Sequence, residues 1–147
     1  MFRISWVWVV LVLLAFGGYW QYRHSDKALM KQAAAANPNG FVQVFMPDDA
    51  PENTVLVFAA ANCPKEDAQR ARRLLDELRT AGVPARLQSS YRLTSVPSEP
   101  DTERRLQQLN AVMRGTIPAV LIGGMGKANP TADEVISEYR RQRGRHE

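Results

Sequence analysis

The chain has 147 residues, of which 45% are hydrophobic and 23% charged, so it suits one ordinary domain with extensions at its ends. The net charge is +4, but residues 37–147 hold 15 basic and 14 acidic side chains, so most of the excess lies near the N-terminus. Because the domain itself is nearly neutral, we expect no nucleic-acid partner. The single cysteine, Cys63, excludes an internal disulfide. No Cys/His spacing is typical of a metal site, so we do not expect a metalloenzyme.

The first predicted element is a membrane anchor. Residues 4–22 carry no charge and are dominated by Val, Leu and Trp, with one Phe. As a helix these 19 residues would extend about 28 Å, close to the thickness of a bilayer's hydrocarbon core. We expect residues 1–23 to be an uncleaved transmembrane anchor. A cleaved signal peptide is the alternative, although bulky aromatic residues after Gly17 and Gly18 make a poor cleavage site.

The orientation of this anchor has two interpretations. Arg3 precedes the apolar run, whereas Arg23, Lys27 and Lys31 follow it, and this distribution favours a cytoplasmic C-terminal domain. However, long domains translocate largely regardless of charge. We expect a single-pass protein of a bacterial-type inner membrane with a periplasmic domain, and a cytoplasmic domain is the alternative.

A globular domain is predicted over residues 41–142, after a juxtamembrane linker at residues 24–40. Its first strand is predicted from Phe41 to Phe45, and an apolar run predicts a buried strand from Thr54 to Ala60. The first helix of the domain is predicted from Pro64 to about Thr80 because apolar side chains recur along one face. These side chains are Ala68, Ala71, Leu74, Leu75 and Leu78.

Both ends of this helix are marked in the sequence. Pro64 suits the first helical position, and Gly82 suits a left-handed residue after the last turn. The polar face predicts three ion pairs between residues four apart, namely Glu66 with Arg70, Arg72 with Asp76 and Arg73 with Glu77.

The next elements complete an alternating pattern. Val83 to Leu87 is predicted to be a strand parallel to the one before the helix, and Thr102 to Arg114 a second helix. The residues between them, 89–100, are predicted to form a loop. Its candidate contact residues are Tyr91, Leu93 and Val96.

The last part of the domain is predicted to be a hairpin and a helix. A strand is expected from Ile117 to Ile122, then a glycine turn and a short strand near residues 127–128. Thr131 and Glu134 form a T-x-x-E capping box, so a final helix follows them. We expect Val135, Ile136 and Tyr139 to face inward. A basic run follows, formed by Arg140, Arg141, Arg143 and Arg145, and it leads into a basic tail at residues 143–147. We expect this run to be solvated, and contact with anionic lipid, nucleic acid or an acidic partner is the alternative.

Cys63 has the most informative position in the chain, between a buried strand and the start of a helix. Unpaired N–H groups and the helix dipole stabilise a thiolate there, and the thiolate is the nucleophilic form of cysteine. The alternative is that Cys63 packs as a small apolar side chain, since cysteine is among the most often buried residues.

The element order, with Cys63-Pro64 opening the first helix and Thr116-Ile117-Pro118 opening the third core strand, resembles the thioredoxin fold and is most similar to the glutaredoxins. The resemblance covers about residues 41–142. It implies a three-layer α/β/α domain following the transmembrane helix. It also implies a cis peptide bond before Pro118, facing the active cysteine.

The same resemblance assigns the site residues. Cys63 matches the nucleophile, and Thr116, Ile117 and Pro118 match the segment on which glutathione lies. The second cysteine of the Cys-Pro-x-Cys motif is Glu66, which implies monothiol chemistry. Lys65 is the candidate for the missing lysine ahead of the cysteine, and Asp133 for the γ-glutamyl contact.

Two functions follow as hypotheses. The first is a membrane-tethered monothiol oxidoreductase that acts on thiols or mixed disulfides of client proteins, with no bound cofactor and with glutathione as co-substrate. The second is a non-catalytic thioredoxin-fold module of an envelope protein assembly. In both, a client or neighbouring protein binds the groove beside Cys63 and Pro118.

Overall fold

The computed structural model describes residues 27–28, 30–59 and 65–144, with Lys65 described by its backbone. The chain divides into two compact units, residues 1–32 and 33–147. The described part of the first unit, residues 27–28 and 30–32, is helical. The predicted anchor at residues 4–22 lies outside the described residues, and none of the helices within them is long and apolar enough to cross a membrane.

The second unit is an α/β domain built on a five-stranded mixed sheet. Its strands are β1 (Val42–Gln43), β2 (Val55–Phe58), β3 (Ala85–Gln88), β4 (Ala119–Ile122) and β5 (Met125–Ala128). Its helices are α1 (Lys65–Thr80), α2 (Thr102–Met113) and α3 (Ala132–Arg143). The strand order is β1-β5-β4-β2-β3, in which β2 and β3 are parallel and the other pairs are antiparallel. Each strand and helix predicted within this domain is confirmed, with small shifts of its boundaries.

The core lies against both faces of the central strand β2, whose four residues are all buried. Because side chains alternate along a strand, Val55 and Val57 point to the same face. There they belong to one apolar cluster with Leu74 of α1 and Val135 of α3. Helix α2 packs instead against β5 and β1. This arrangement is compatible with a thioredoxin-like fold.

Helix α1 ends as predicted, and its ending explains why β3 begins later than expected. Gly82 has φ +72°, a left-handed conformation that glycine adopts without steric cost. The N–H of Gly82 donates to Arg79 and the N–H of Val83 to Leu78, the two bonds of a Schellman motif. Val83 therefore closes the helix, and the prediction that it starts the strand is wrong, since β3 starts at Ala85.

The β4–β5 hairpin is tighter than predicted. Gly123 and Gly124 both have positive φ, the combination that a two-residue type I′ turn requires. Pairing resumes at once with Met125 opposite Ile122, so β5 is two residues longer than the expected strand at 127–128.

The ion pairs of α1 differ from the predicted pattern. In the described helix Arg70 pairs with Asp67 and Arg79 with Asp76, each three residues apart rather than four. The pair of Arg70 with Glu66 is therefore a wrong prediction, and so is that of Asp76 with Arg72.

The loop at residues 89–100 is confirmed, and it is tied to the segment after β1. The hydroxyl of Tyr91 donates to the carbonyl of Phe45 at 3.0 Å, so this predicted contact exists. Asp48 accepts hydrogen bonds from the backbone and hydroxyl of Thr94, which lower the pKa of its carboxyl. Val96, by contrast, is 46% exposed.

A buried carboxylate joins the beginning of this unit to its last helix. Glu138 of α3 is completely buried. It accepts hydrogen bonds from the side-chain amides of Asn37 and Asn39, both at 3.2 Å. It also accepts hydrogen bonds from Arg141 and Gln142, one turn further along α3. Each donor contributes to satisfying a charge that would otherwise be costly to bury.

These partners also determine the ionisation of Glu138. Burial acts to raise its pKa, but the hydrogen bonds from Arg141, Gln142, Asn39 and Asn37 outweigh burial and lower the pKa to about 2.

The expectation that the basic run is solvated is wrong for Arg141, because α3 continues to Arg143 and Arg141 binds the carboxylate of Glu138. Arg145 lies outside the described residues.

Replacing Glu138 with Gln is expected to lower the free energy of unfolding at pH 7 by about 2–4 kcal/mol, because Arg141 then loses its buried counter-charge. The measurement is equilibrium unfolding in denaturant. The pKa of Glu138 is lower in the folded protein than its ordinary value of 4.5, so its contribution is complete above pH 4.5 and is lost as the pH falls towards 2. The difference between wild type and variant should shrink across that interval.

The matched control is Glu103→Gln, which makes the same change at an exposed position of α2. It is expected to change the free energy of unfolding by less than about 0.5 kcal/mol. Equal effects of the two substitutions would contradict a structural role for the buried carboxylate.

Candidate functional site

The predicted site residues come from segments that meet at one end of the sheet. Strand β2 ends at Phe58, which pairs with Ala119 at the beginning of β4. Strand β5 ends at Ala128, also opposite Ala119, and leads into α3. The carboxyl end of β2, the start of β4 and the start of α3 therefore lie at the same end.

The thiol of the predicted site is not placed by the structure. Cys63 and the following Pro64 lie outside the described residues, and Lys65 is described only by its backbone, as the first residue of α1. The nucleophilic role of Cys63 and the binding role of Lys65 stay predictions.

The segment Thr116–Pro118 leads into β4 at this end of the sheet. The peptide bond between Ile117 and Pro118 is cis, as predicted. Pro118 is buried, and its carbonyl accepts a hydrogen bond from the N–H of Asn129 at 2.7 Å. Ile117 is partly buried and Thr116 is exposed. The strand therefore begins two residues later than predicted, after the proline, which has no N–H to contribute to the ladder.

A hydrogen bond joins this segment directly to α1. The Nε of Arg70 donates to the carbonyl oxygen of Ile117 at 3.2 Å. The same guanidinium pairs through Nη2 with Asp67, one turn earlier in the helix. The side chain of Asp67 is 22% exposed and that of Arg70 40%, so the pair lies at the edge of the packed region. The first turns of α1 and the segment Thr116–Pro118 are thus held against each other.

Arg70 is the site residue that sequence reasoning missed. The helical pattern assigned it to the solvated face, paired with Glu66. A usable signal was its position directly before Ala71, at the border of the buried stripe, where a long side chain can reach a neighbouring element. The acceptor on Ile117 is 47 residues away in sequence, and no local pattern identifies it.

The start of α3 contributes the remaining predicted residue. Thr131 and Glu134 form the predicted capping box, and Asp133 is exposed in the first turn between them. Lys127 forms an ion pair with Glu134 at 2.7 Å. Burial acts to raise the pKa of Glu134, but the hydrogen bonds from Lys127 and Thr131 lower it on balance. Asp133 thus lies at the same end of the sheet as the segment Thr116–Pro118, and its binding role stays a prediction.

A cleft of about 700 Å³ lies at the opposite end of the sheet, beside the Gly123–Gly124 turn. None of the predicted site residues whose side chains the structure describes lines it. Two of its three arginines are already paired, Arg105 with Glu99 and Arg141 with Glu138. The Nε of Arg105 is buried and has no hydrogen-bond partner among the described residues.

Comparison of the chain with protein-family models, with curated proteins and with solved structures finds no match in any of the three.

Proposed function

We propose that the chain is a membrane-tethered, glutaredoxin-like monothiol oxidoreductase with Cys63 as its nucleophile. The observation that carries the proposal is the hydrogen bond from Arg70 to Ile117, which holds α1 against the segment Thr116–Pro118. Cys63 precedes α1 by two residues in the sequence. A three-layer thioredoxin-like domain with this strand order would give its cysteine a docking surface at that end of the sheet.

The chemistry needs one thiol on the protein and one from outside. The Cys63 thiolate attacks the glutathione sulfur of a mixed disulfide between a client and glutathione, so the client leaves as a thiolate and takes a proton from water. Cys63 then carries glutathione in a disulfide. The thiolate of a second glutathione attacks this disulfide, releases oxidised glutathione and restores the Cys63 thiolate.

In this proposal the co-substrate lies across the segment Thr116–Pro118, with Pro118 shaping the groove. Lys65 would contact one carboxylate of glutathione, and Asp133 would contact its amino group at the start of α3. These roles rest on the resemblance and on the shared end of the sheet. Glu66 provides no second thiol, so release depends on the external one.

The alternative is a non-catalytic thioredoxin-fold module that binds a peptide or a neighbouring envelope protein in the same groove. In that function Cys63 is incidental, and the hydrogen bond from Arg70 to Ile117 holds the groove in the same way.

The thiol of Cys63 is expected to have a pKa at least about one unit below the free-cysteine value of ~8.5, since reactive cysteines at helix N-termini have lowered values. The rate of alkylation as a function of pH measures it on the unmodified protein, because there is no second cysteine to react. A pKa at or above ~8.5 would contradict the oxidoreductase and favour the binding module.

A reporter enzyme that is active only outside the cytoplasm, fused after Glu147, is expected to be active, because we propose an exported domain tethered through residues 4–22. A cytoplasm-dependent reporter fused at the same position is the control. The reverse pattern of activity would place the domain in the cytoplasm, where glutathione is abundant.

A further inference from the structure

Strand β3 is an edge of the sheet, and it pairs with β2 alone. The carbonyls of Pro84 and Gln88 accept hydrogen bonds from residues in and directly after β2. Because backbone groups alternate in direction along a strand, the N–H and carbonyl groups of Ala85 and Leu87 point away from the sheet. Within the described part of the chain no backbone group bonds to them. An unpaired edge of this kind is a template for another strand.

The side chains of β3 differ between its two faces. Ala85 packs against the apolar cluster, and Leu87, which points to the same face, is 49% exposed. Arg86 and Gln88 point to the other face, where Nε2 of Gln88 donates to the carboxylate of Asp49 at 3.3 Å. None of the ion pairs among the described residues involves Arg86, which is exposed. The edge therefore presents an apolar, a positive and a negative group in a fixed order.

A second copy of the chain fits this edge in one antiparallel register. A two-fold axis at Arg86 would set two arginines opposite each other, and like charges directly opposite destabilise a sheet. An axis at Ala85 would require Val83, whose N–H already closes helix α1. An axis at Leu87 avoids both problems. The two Leu87 residues then exchange N–H to carbonyl hydrogen bonds, and Arg86 lies opposite Gln88 of the second copy.

The register at Leu87 is also complementary in charge. Residues directly opposite in antiparallel strands have Cβ atoms about 4.5–5.5 Å apart. Arg86 of each copy would lie beside Gln88 of the other and reach the Asp49 carboxylate that Gln88 binds. The two-fold axis makes this contact twice. The surface is thus complementary to itself, as a symmetric dimer requires.

We propose that β3 is a self-association surface, through which two copies of the chain pair antiparallel about a two-fold axis at Leu87 and join their five-stranded sheets into one. A strand of unrelated sequence would satisfy the backbone groups of the edge but not the two contacts between Arg86 and Asp49. The dimer requires no chemistry from Cys63, so it goes beyond the proposed function.

The test is the mass of the purified full chain in density-matched detergent, measured by sedimentation equilibrium with a reductant that prevents disulfides through Cys63. The chain concentration runs from about 10 to about 500 µM, because two short strands bury less area than a standard interface. Wild type is expected to change from monomer to dimer over this range. Arg86→Glu places a carboxylate beside Asp49 of the other copy and is expected to weaken the dimer about 5- to 30-fold.

A charge exchange makes the test specific. Asp49→Arg should weaken the dimer to a similar extent, and the double variant Arg86→Glu/Asp49→Arg should recover it, because each contact again joins opposite charges. The matched control is Arg104→Glu, the same charge change at an exposed position of α2, which packs against the other edge of the sheet. It should dimerise as wild type.

Amide exchange tests the strand pairing itself. The N–H of Leu87 should exchange more slowly at the highest concentration than at the lowest, because pairing protects it. Leu87→Glu sets two like charges on the axis and should give a monomer that is folded by far-UV circular dichroism.

Several results would overturn the inference. They are a wild-type chain that stays monomeric over the whole range, a dimer that Arg86→Glu or Leu87→Glu leaves unchanged, and a double variant as weak as the single ones. An equal effect of Arg104→Glu, or an unchanged exchange rate at Leu87 in a dimer, would do the same. If Leu87→Glu does not fold, the charge exchange decides alone.

Discussion

The central position of β2 is the constraint on which the rest of the domain depends. The strand pairs in parallel with β3 on one side and antiparallel with β4 on the other, and all four of its residues are buried. A parallel neighbour requires a crossover connection, which α1 supplies. The antiparallel neighbour brings the start of β4 beside the end of β2. The beginning of α1 and the segment Thr116–Pro118 are neighbours because of this one strand.

The domain also contains two clusters of polar side chains that differ in their exposure to solvent. At the end where α1 begins, Arg70 and Asp67 are partly exposed and hold a backbone carbonyl. Elsewhere, Glu138 is fully buried and its hydrogen bonds come from within the unit, from the turn at residues 37–39 and from the last turns of α3. A partly exposed cluster can exchange its partners with a ligand, whereas a buried and satisfied carboxylate serves to fix the chain. The first cluster therefore belongs to a candidate site and the second to stability.

Local patterns in the sequence predicted most of the fold. The apolar stripe of α1, the glycine at position 82 and the capping box at Thr131 each act within a few residues, so the sequence shows them directly. The hydrogen bond from the N–H of Val83 to the carbonyl of Leu78 was not predicted, because Val83 fits both a strand pattern and the end of a Schellman motif.

The contacts that define the site were less predictable. Ile117 lies 47 residues from Arg70, and Asn37 lies 101 residues from Glu138. Such partners depend on the assembled sheet and not on spacing along the chain. The positions of Cys63 and Pro118 in the sequence predicted where a site would lie, but the hydrogen bond from Arg70 to Ile117 is found only in the folded domain.

The most direct measurement of the central claim uses a spin label attached to Cys63, the only cysteine of the chain. Paramagnetic broadening of amide signals then reports which end of the sheet the label approaches. The account predicts strong broadening at Ile117 and Asn129, beside the start of β4, and much weaker broadening at Gly123 and Gly124, about 14 Å away along the strand. Equal or stronger broadening at the two glycines would contradict a thiol site beside Pro118.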